Sequence, residues 1–141
     1  MFSKKYEDRL RQWNLFRQTL ETDSQPFQTV IDQYAEAPTV SMQVDPYDQN
    51  SWLNPWELLK ENVYCEFSKI LAICYTLQLT ERFMNEKFEI YIYTDSEESS
   101  VRYLLKINDW IIGYDTNRPI SIEQLPNYLQ SQMVYVMPKL Q

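Results

Sequence analysis

A chain of 141 residues, 44% of them apolar, supports one domain around one core and is too hydrophobic to stay disordered. Its net charge of −7 leaves 13 scattered lysines and arginines and no basic face, so phosphate-gripping work, and with it a nucleic-acid partner, is not expected. No apolar run approaches the roughly 18 residues that span a bilayer, and the start MFSKKYEDRL has no apolar leader segment, so neither a membrane partner nor secretion is expected.

Ser3 can cap a first helix running to about Glu21, with Tyr6, Leu10, Trp13, Phe16 and Leu20 on one face. Lys4, Lys5, Arg9, Arg11 and Arg17 alternate there with Glu7, Asp8 and Glu21, which reads as the solvated side of that helix. After the TDSQP break, Pro26 opens a second short helix to Tyr34, with Phe27, Val30, Ile31 and Tyr34 inward. Residues 36–53, EAPTVSMQVDPYDQNSWL, form a polar loop of a length that is often functional inside a small domain. It reads either as a packed loop or as an arm lying on a neighbouring subunit.

Asn54-Pro55-Trp56-Glu57 is a strong helix start: Asn54 caps, Pro55 suits the first turn and Glu57 completes a capping box. Helix is expected from there to about Phe83, kinked near Asn62-Val63, with Phe67, Ile70, Leu71, Cys74 and Leu77 as its buried stripe. Cys74 is therefore a core thiol. Cys65 and Cys74 would lie about 180° and roughly 13 Å apart on one helix, too far to bridge, which fits a reduced compartment.

Three strand-like runs follow. Phe88, Ile90 and Ile92 alternate with Glu89, Tyr91 and Tyr93, and Val101, Tyr103, Leu105 and Ile107 share one face of the next run. Asn108-Asp109 suits a two-residue hairpin turn into WIIGYD, where Gly113, the only glycine, marks a bulge or a close backbone approach. Ser121 with Gln124 offers a capping box for a short helix to about Ser131, and MVYVM before Pro138 reads as a fourth strand at a sheet edge. Helices followed by an antiparallel meander make an α+β protein. The expected organisation is a single domain over 1–141: a helical N-terminal segment (1–35), the loop or arm (36–53), and a core (54–141) in which a long central helix packs on a small antiparallel sheet of three to four strands.

A catalytic thiol works as thiolate, which a helix N-terminus and a nearby imidazole favour, and the imidazole also moves the proton. Cys65 opens the apolar helix and Asp115 closes the third strand-like run, but the chain has no histidine. From Tyr64 to Asn117 this order resembles the transglutaminase-like branch of the papain-like cysteine enzymes. The resemblance implies a nucleophile at Cys65, a histidine at the start of one strand, and an aspartate, here Asp115, at the end of the next, shortly after Trp110. Counted back from Trp110, the histidine position falls near Ser99, Ser100 or Val101, none of which is a base near neutral pH. Tyr64 keeps the aromatic ahead of the cysteine, whereas the glycines around the helix and the proline after the aspartate are missing. Trp110 is expected between helix and sheet, at a cost of about 3–5 kcal/mol for its truncation to alanine.

The stretch with Ser51, Trp52, Pro55, Trp56 and Glu57, followed by an apolar helix, is similar to small uncharacterised proteins of contractile-tailed bacteriophages, and that similarity implies a virion or assembly role. The expected function is a non-catalytic structural or assembly subunit, such as a bacteriophage head, neck or tail protein. Other protein subunits would be its partners in a homo-oligomer or larger assembly, within the virion or host cytoplasm. Tyr47 and Trp52 on the loop and Tyr91 and Tyr93 on the outward strand face are the expected interface, and removing 39–50 is expected to leave a folded domain. The alternative is a divergent thiol hydrolase of transglutaminase-like fold, using Cys65 and Asp115 with a base from elsewhere. No metal is expected without histidine, one glycine leaves no phosphate-cradling loop, and Asp95, Glu97 and Glu98 read as a solvated hairpin turn. No cofactor is expected.

Overall fold

The computed structural model describes residues 1–140. Among them the chain is α+β, with four α-helices and a five-stranded antiparallel sheet. Helices α1 (Tyr6–Leu20) and α2 (Pro26–Tyr34) bury Trp13, Leu20, Val30, Ile31 and Tyr34, as their spacing predicts. Arg9 departs from its expected place on the solvated side. It is buried, and its guanidinium donates to the Leu59 carbonyl at 2.9 Å and the Lys60 carbonyl at 3.2 Å, near the end of α3 (Pro55–Glu61). Arg17 acts likewise at the end of α4 (Glu66–Gln78), donating to the Leu79 carbonyl at 3.1 Å while lying over the Trp13 ring. Helix ends leave carbonyls without partners and favour a cation, so α1 is tied to two of them by side chains that hydropathy assigns to water.

The single helix expected from Asn54 to Phe83 is two. The capping box at Asn54 and Glu57 forms, at 2.8 and 2.9 Å. However, α3 stops at Asn62, which is left-handed (φ 54°) and whose side-chain amide donates to the Phe2 carbonyl at 2.8 Å. Asparagine enters that region more readily than most residues. Tyr64 then pairs in parallel with the loop: its N–H donates to the Pro38 carbonyl at 2.9 Å, and its carbonyl accepts from Val40 at 3.0 Å. Residues 36–53 are therefore a loop packed on its own chain rather than an arm, with Val44 buried and Trp52 lodged beside Phe67 and Tyr135. Removing 39–50 would take out the buried Val44 and the core-packed Val40, which counts against the expectation of a folded deletion. Every residue of α4 from Ile70 to Gln78 is buried, as a helix enclosed on all sides must be.

Strands β1 (Phe88–Asp95), β2 (Ser100–Ile107), β3 (Trp110–Ile112), β4 (Ile120–Ser121) and β5 (Leu129–Val136) stand in the spatial order β4-β3-β2-β1-β5. Phe88 and Ile90, opposite Ile107 and Leu105, join the cluster built by the helices. The Asn108-Asp109 turn is as expected, with Asn108 at φ 54° and Ile107 paired to Trp110. Gly113 is the close approach: at φ 113°, a Cβ there would lie 2.5 Å from the Tyr103 carbonyl oxygen and 2.9 Å from Ile70 Cδ1.

Two further expectations are corrected. The helix expected over 121–131 is one 3-10 turn, Ile122–Gln124, because Pro126 removes a donor and holds Leu125 extended (ψ 129°). The chain enters β5 instead, and with β4 the sheet gains a strand beyond the three to four foreseen. Trp110 is 43% exposed, not buried. It begins a strand of only three residues at the sheet margin, where it meets Phe27 at 6.4 Å between ring centroids. Among the described residues no helix is long and apolar enough to cross a membrane.

Candidate functional site

Cys65 is the N-cap residue of α4 and only 4% exposed. Its Sγ lies 3.3 Å from Ser68 Oγ, and the backbone amides of Ser68, Val44 and Gln43 turn towards it as dipoles rather than as a formed cap bond. Burial alone raises a thiol pKa by penalising the thiolate. Here the Ser68 hydroxyl and those amides outweigh burial and hold the Cys65 thiol below its ordinary range. Cys74, further along the same helix, is fully buried, and burial pushes its thiol up.

The sheet packs Tyr103 against the start of α4, while Ser100 and Val101 border the groove beside Glu66 and Lys69. The Tyr103 ring packs edge-on to Phe67 at 5.4 Å. Burial first, then the charges of Tyr47, Glu66, Cys65 and Asp45, raise the pKa of its hydroxyl. A phenol held above its usual range takes no proton from a thiol at neutral pH. The count back from Trp110 led to Ser99, Ser100 or Val101 rather than to Tyr103. The alternation itself pointed to it, because Tyr103 shares a face with Leu105 and Ile107.

Asp115 lies beyond the end of β3. Its carboxylate accepts from the Asn117 N–H at 2.9 Å and from Arg118 Nε at 2.9 Å, and these bonds hold it below the usual carboxylate range. It borders a groove of about 590 Å³ between α2, the first turns of α4 and β2, together with Glu66, Lys69, Ile70 and Arg102. Cys65 does not line this groove; its sulfur faces Gln43 and Val44 of the loop. The two residues of the sequence-level triad are thus not gathered around one cavity.

The four aromatic residues expected at an interface divide. Tyr47 is 53% exposed. Trp52 turns inward, its Nε1 donating to the Asp45 carbonyl at 3.1 Å and its ring 4.9 Å from Phe67 and 4.8 Å from Tyr135. Tyr91 and Tyr93 pack edge-to-face at 5.6 Å, half-buried on the sheet face that the helices leave open. On that face Leu104, Ile111 and Ile120 are buried beside Tyr114 and Leu125. Its other half, over β1 and β5, is uncovered: Val134 is 44% and Val136 59% exposed. Sequence reading recognised the MVYVM strand but missed these two valines, although their alternation with Met133 and Tyr135 was the available signal.

The acidic turn is partly a folding device. Asp95 is buried, accepts from the N–H groups of Glu97 and Glu98, and pairs with Arg102 at 3.6 Å. Arg102 also holds Glu98 at 2.8 Å. Among the described residues no three His, Cys, Asp or Glu stand where they could share a metal ion. Compared with known proteins, the chain matches no family model and no curated protein. Function has to be argued from these residues.

Proposed function

We propose that this chain is a non-catalytic structural or assembly subunit acting through protein–protein contacts, in the bacteriophage virion or its assembly that the Ser51–Glu57 similarity suggests. The observation behind this reading is the uncovered half of the outer sheet face. There the exposed Val134 and Val136 adjoin Tyr91 and Tyr93, which are half-buried against the Leu104 cluster, in one strip on a chain of net charge −7. Contiguous apolar surface of this kind marks association sites. The covered thiol, without an imidazole in the chain, agrees with it. Light scattering on the purified chain tests the reading. Assembly should be lost in the Tyr91→Lys, Tyr93→Lys double variant and kept in Cys65→Ser. A double variant that assembles like the wild type removes the strip from the interface.

One observation favours the second reading, a divergent thiol hydrolase: the donors around Cys65 stabilise a thiolate. That reading requires rapid alkylation of Cys65 at pH 6, and an ester- or amide-cleaving activity that Cys65→Ser abolishes.

A further inference from the structure

The two edges of the sheet are built differently. β4 closes one side with two residues, whereas β5 closes the other with eight, LQSQMVYV, none charged and none proline. Natural edge strands are usually blunted by shortness, lysine, proline or a bulge. β5 has only a bulge, where Gln132 loses its partner between the Ile92–Met133 and Tyr93–Ser131 pairs. Beyond it, Met133, Val134 and Val136 are exposed. The Met137 N–H donates to the Phe88 carbonyl at 2.8 Å, which makes Glu89–Val136 a pair without mutual bonds. By alternation Met133 and Tyr135 bond to β1, and the N–H and C=O groups of Val134 and Val136 point out of the sheet. Among the described residues those groups meet no other backbone.

We propose that this edge pairs, antiparallel about a twofold axis, with β5 of a second copy of the chain. The inference rests on the subunit reading above and names its partner and geometry. Charge selects the copy. At the Val136 end, Lys87, Lys106 and Lys139 balance Glu86, Glu89 and Asp109, and Lys87 and Lys106 lie 3.8 and 3.6 Å from Glu89. At the Leu129 end, the turn with Asp95, Glu97 and Glu98 outnumbers Arg102 by two. Antiparallel pairing holds the acidic ends of the two copies at opposite ends of the paired strands, each against the balanced end of the other, across a strand with no charge to repel. The axis stands perpendicular to the sheet, so the two outer strips fall on the same side and become one surface, as a self-complementary interface requires.

Sedimentation across a concentration series tests the pairing. The wild type should pass from monomer to dimer. Val134→Pro removes one outward N–H from each copy and leaves the β1 ladder intact, and should weaken the dimer roughly 30-fold with an unchanged circular dichroism spectrum. Val136→Glu, at an exposed position that tolerates charge in the monomer, should weaken it as well and decides the matter if the proline variant does not fold. A dimer indifferent to both substitutions, or a wild type that stays monomeric throughout, overturns the strand pairing. Neither result ends the subunit reading. That falls separately, if the same preparations cleave an ester or amide and Cys65→Ser abolishes the activity.

Discussion

On its inner face the sheet meets α4: Phe88, Ile90, Leu105 and Ile107 are each no more than about 1% exposed, and Gly113 lets the backbone close on Ile70. On its outer face the same strands bury Leu104 and Ile111 at one end, with Tyr91 and Tyr93 half-buried beside them, and leave Val134 and Val136 to solvent at the other. Both faces follow from the same period-two alternation. The difference lies in what covers them. A helix packed along its whole length makes the inner face a core, whereas the segment after β3 reaches only half of the outer one. Alternation in a strand therefore announces two apolar faces without saying which of them the monomer itself will cover.

Substitutions can sharpen that contrast, from the largest expected loss to the smallest. Phe88→Ala should cost about 3–5 kcal/mol, as for other fully buried aromatics, read from the shift in the urea midpoint. Gly113→Ala should cost about 3 kcal/mol, because it combines an unfavourable φ with contact against the Tyr103 carbonyl and Ile70. A loss below about 1 kcal/mol there would mean that the inner layer gives way more easily than its spacing implies. Trp110→Ala should cost only about 1 kcal/mol, since nearly half of the side chain is already in water; a loss near 4 would restore it to the core. Val136→Ser should change monomer stability by less than about 0.5 kcal/mol, provided that unfolding is followed at a concentration too low for self-association to contribute.

What the sequence made legible was mostly local. The capping box before Trp56, the β1 alternation and the Asn108-Asp109 turn depend on neighbours in the chain, and each is found as read. What it hid depends on partners far away. The helix breaks after Asn62 because Phe2 receives the asparagine amide and the 36–53 loop claims the backbone of Tyr64. Arg9 is buried because α3 ends beside it. Trp52 turned out to be packing, and Trp110 half-exposed, for the same kind of reason: burial of a large aromatic is settled by the element that arrives opposite it. The candidate site follows this rule as well. Cys65 was visible as a helix-opening thiol, while the amides of Gln43 and Val44 that cover its sulfur come from a loop twenty residues upstream.

The central place of β1 has a consequence for how the chain is made. β1 ends at Asp95, yet one of its two neighbours, β5, begins only at Leu129. During synthesis the Ile-Tyr-Ile-Tyr strand can pair with β2 as soon as the first hairpin emerges, but its other side stays open until the later segment leaves the ribosome. In that interval it is a template for any nascent chain growing on the same message, the circumstance in which unpaired strands aggregate. Chains stalled or cleaved before Leu129 should accordingly be lost to aggregates or proteases, whereas intact chains diluted from denaturant, with both neighbours present from the start, should refold.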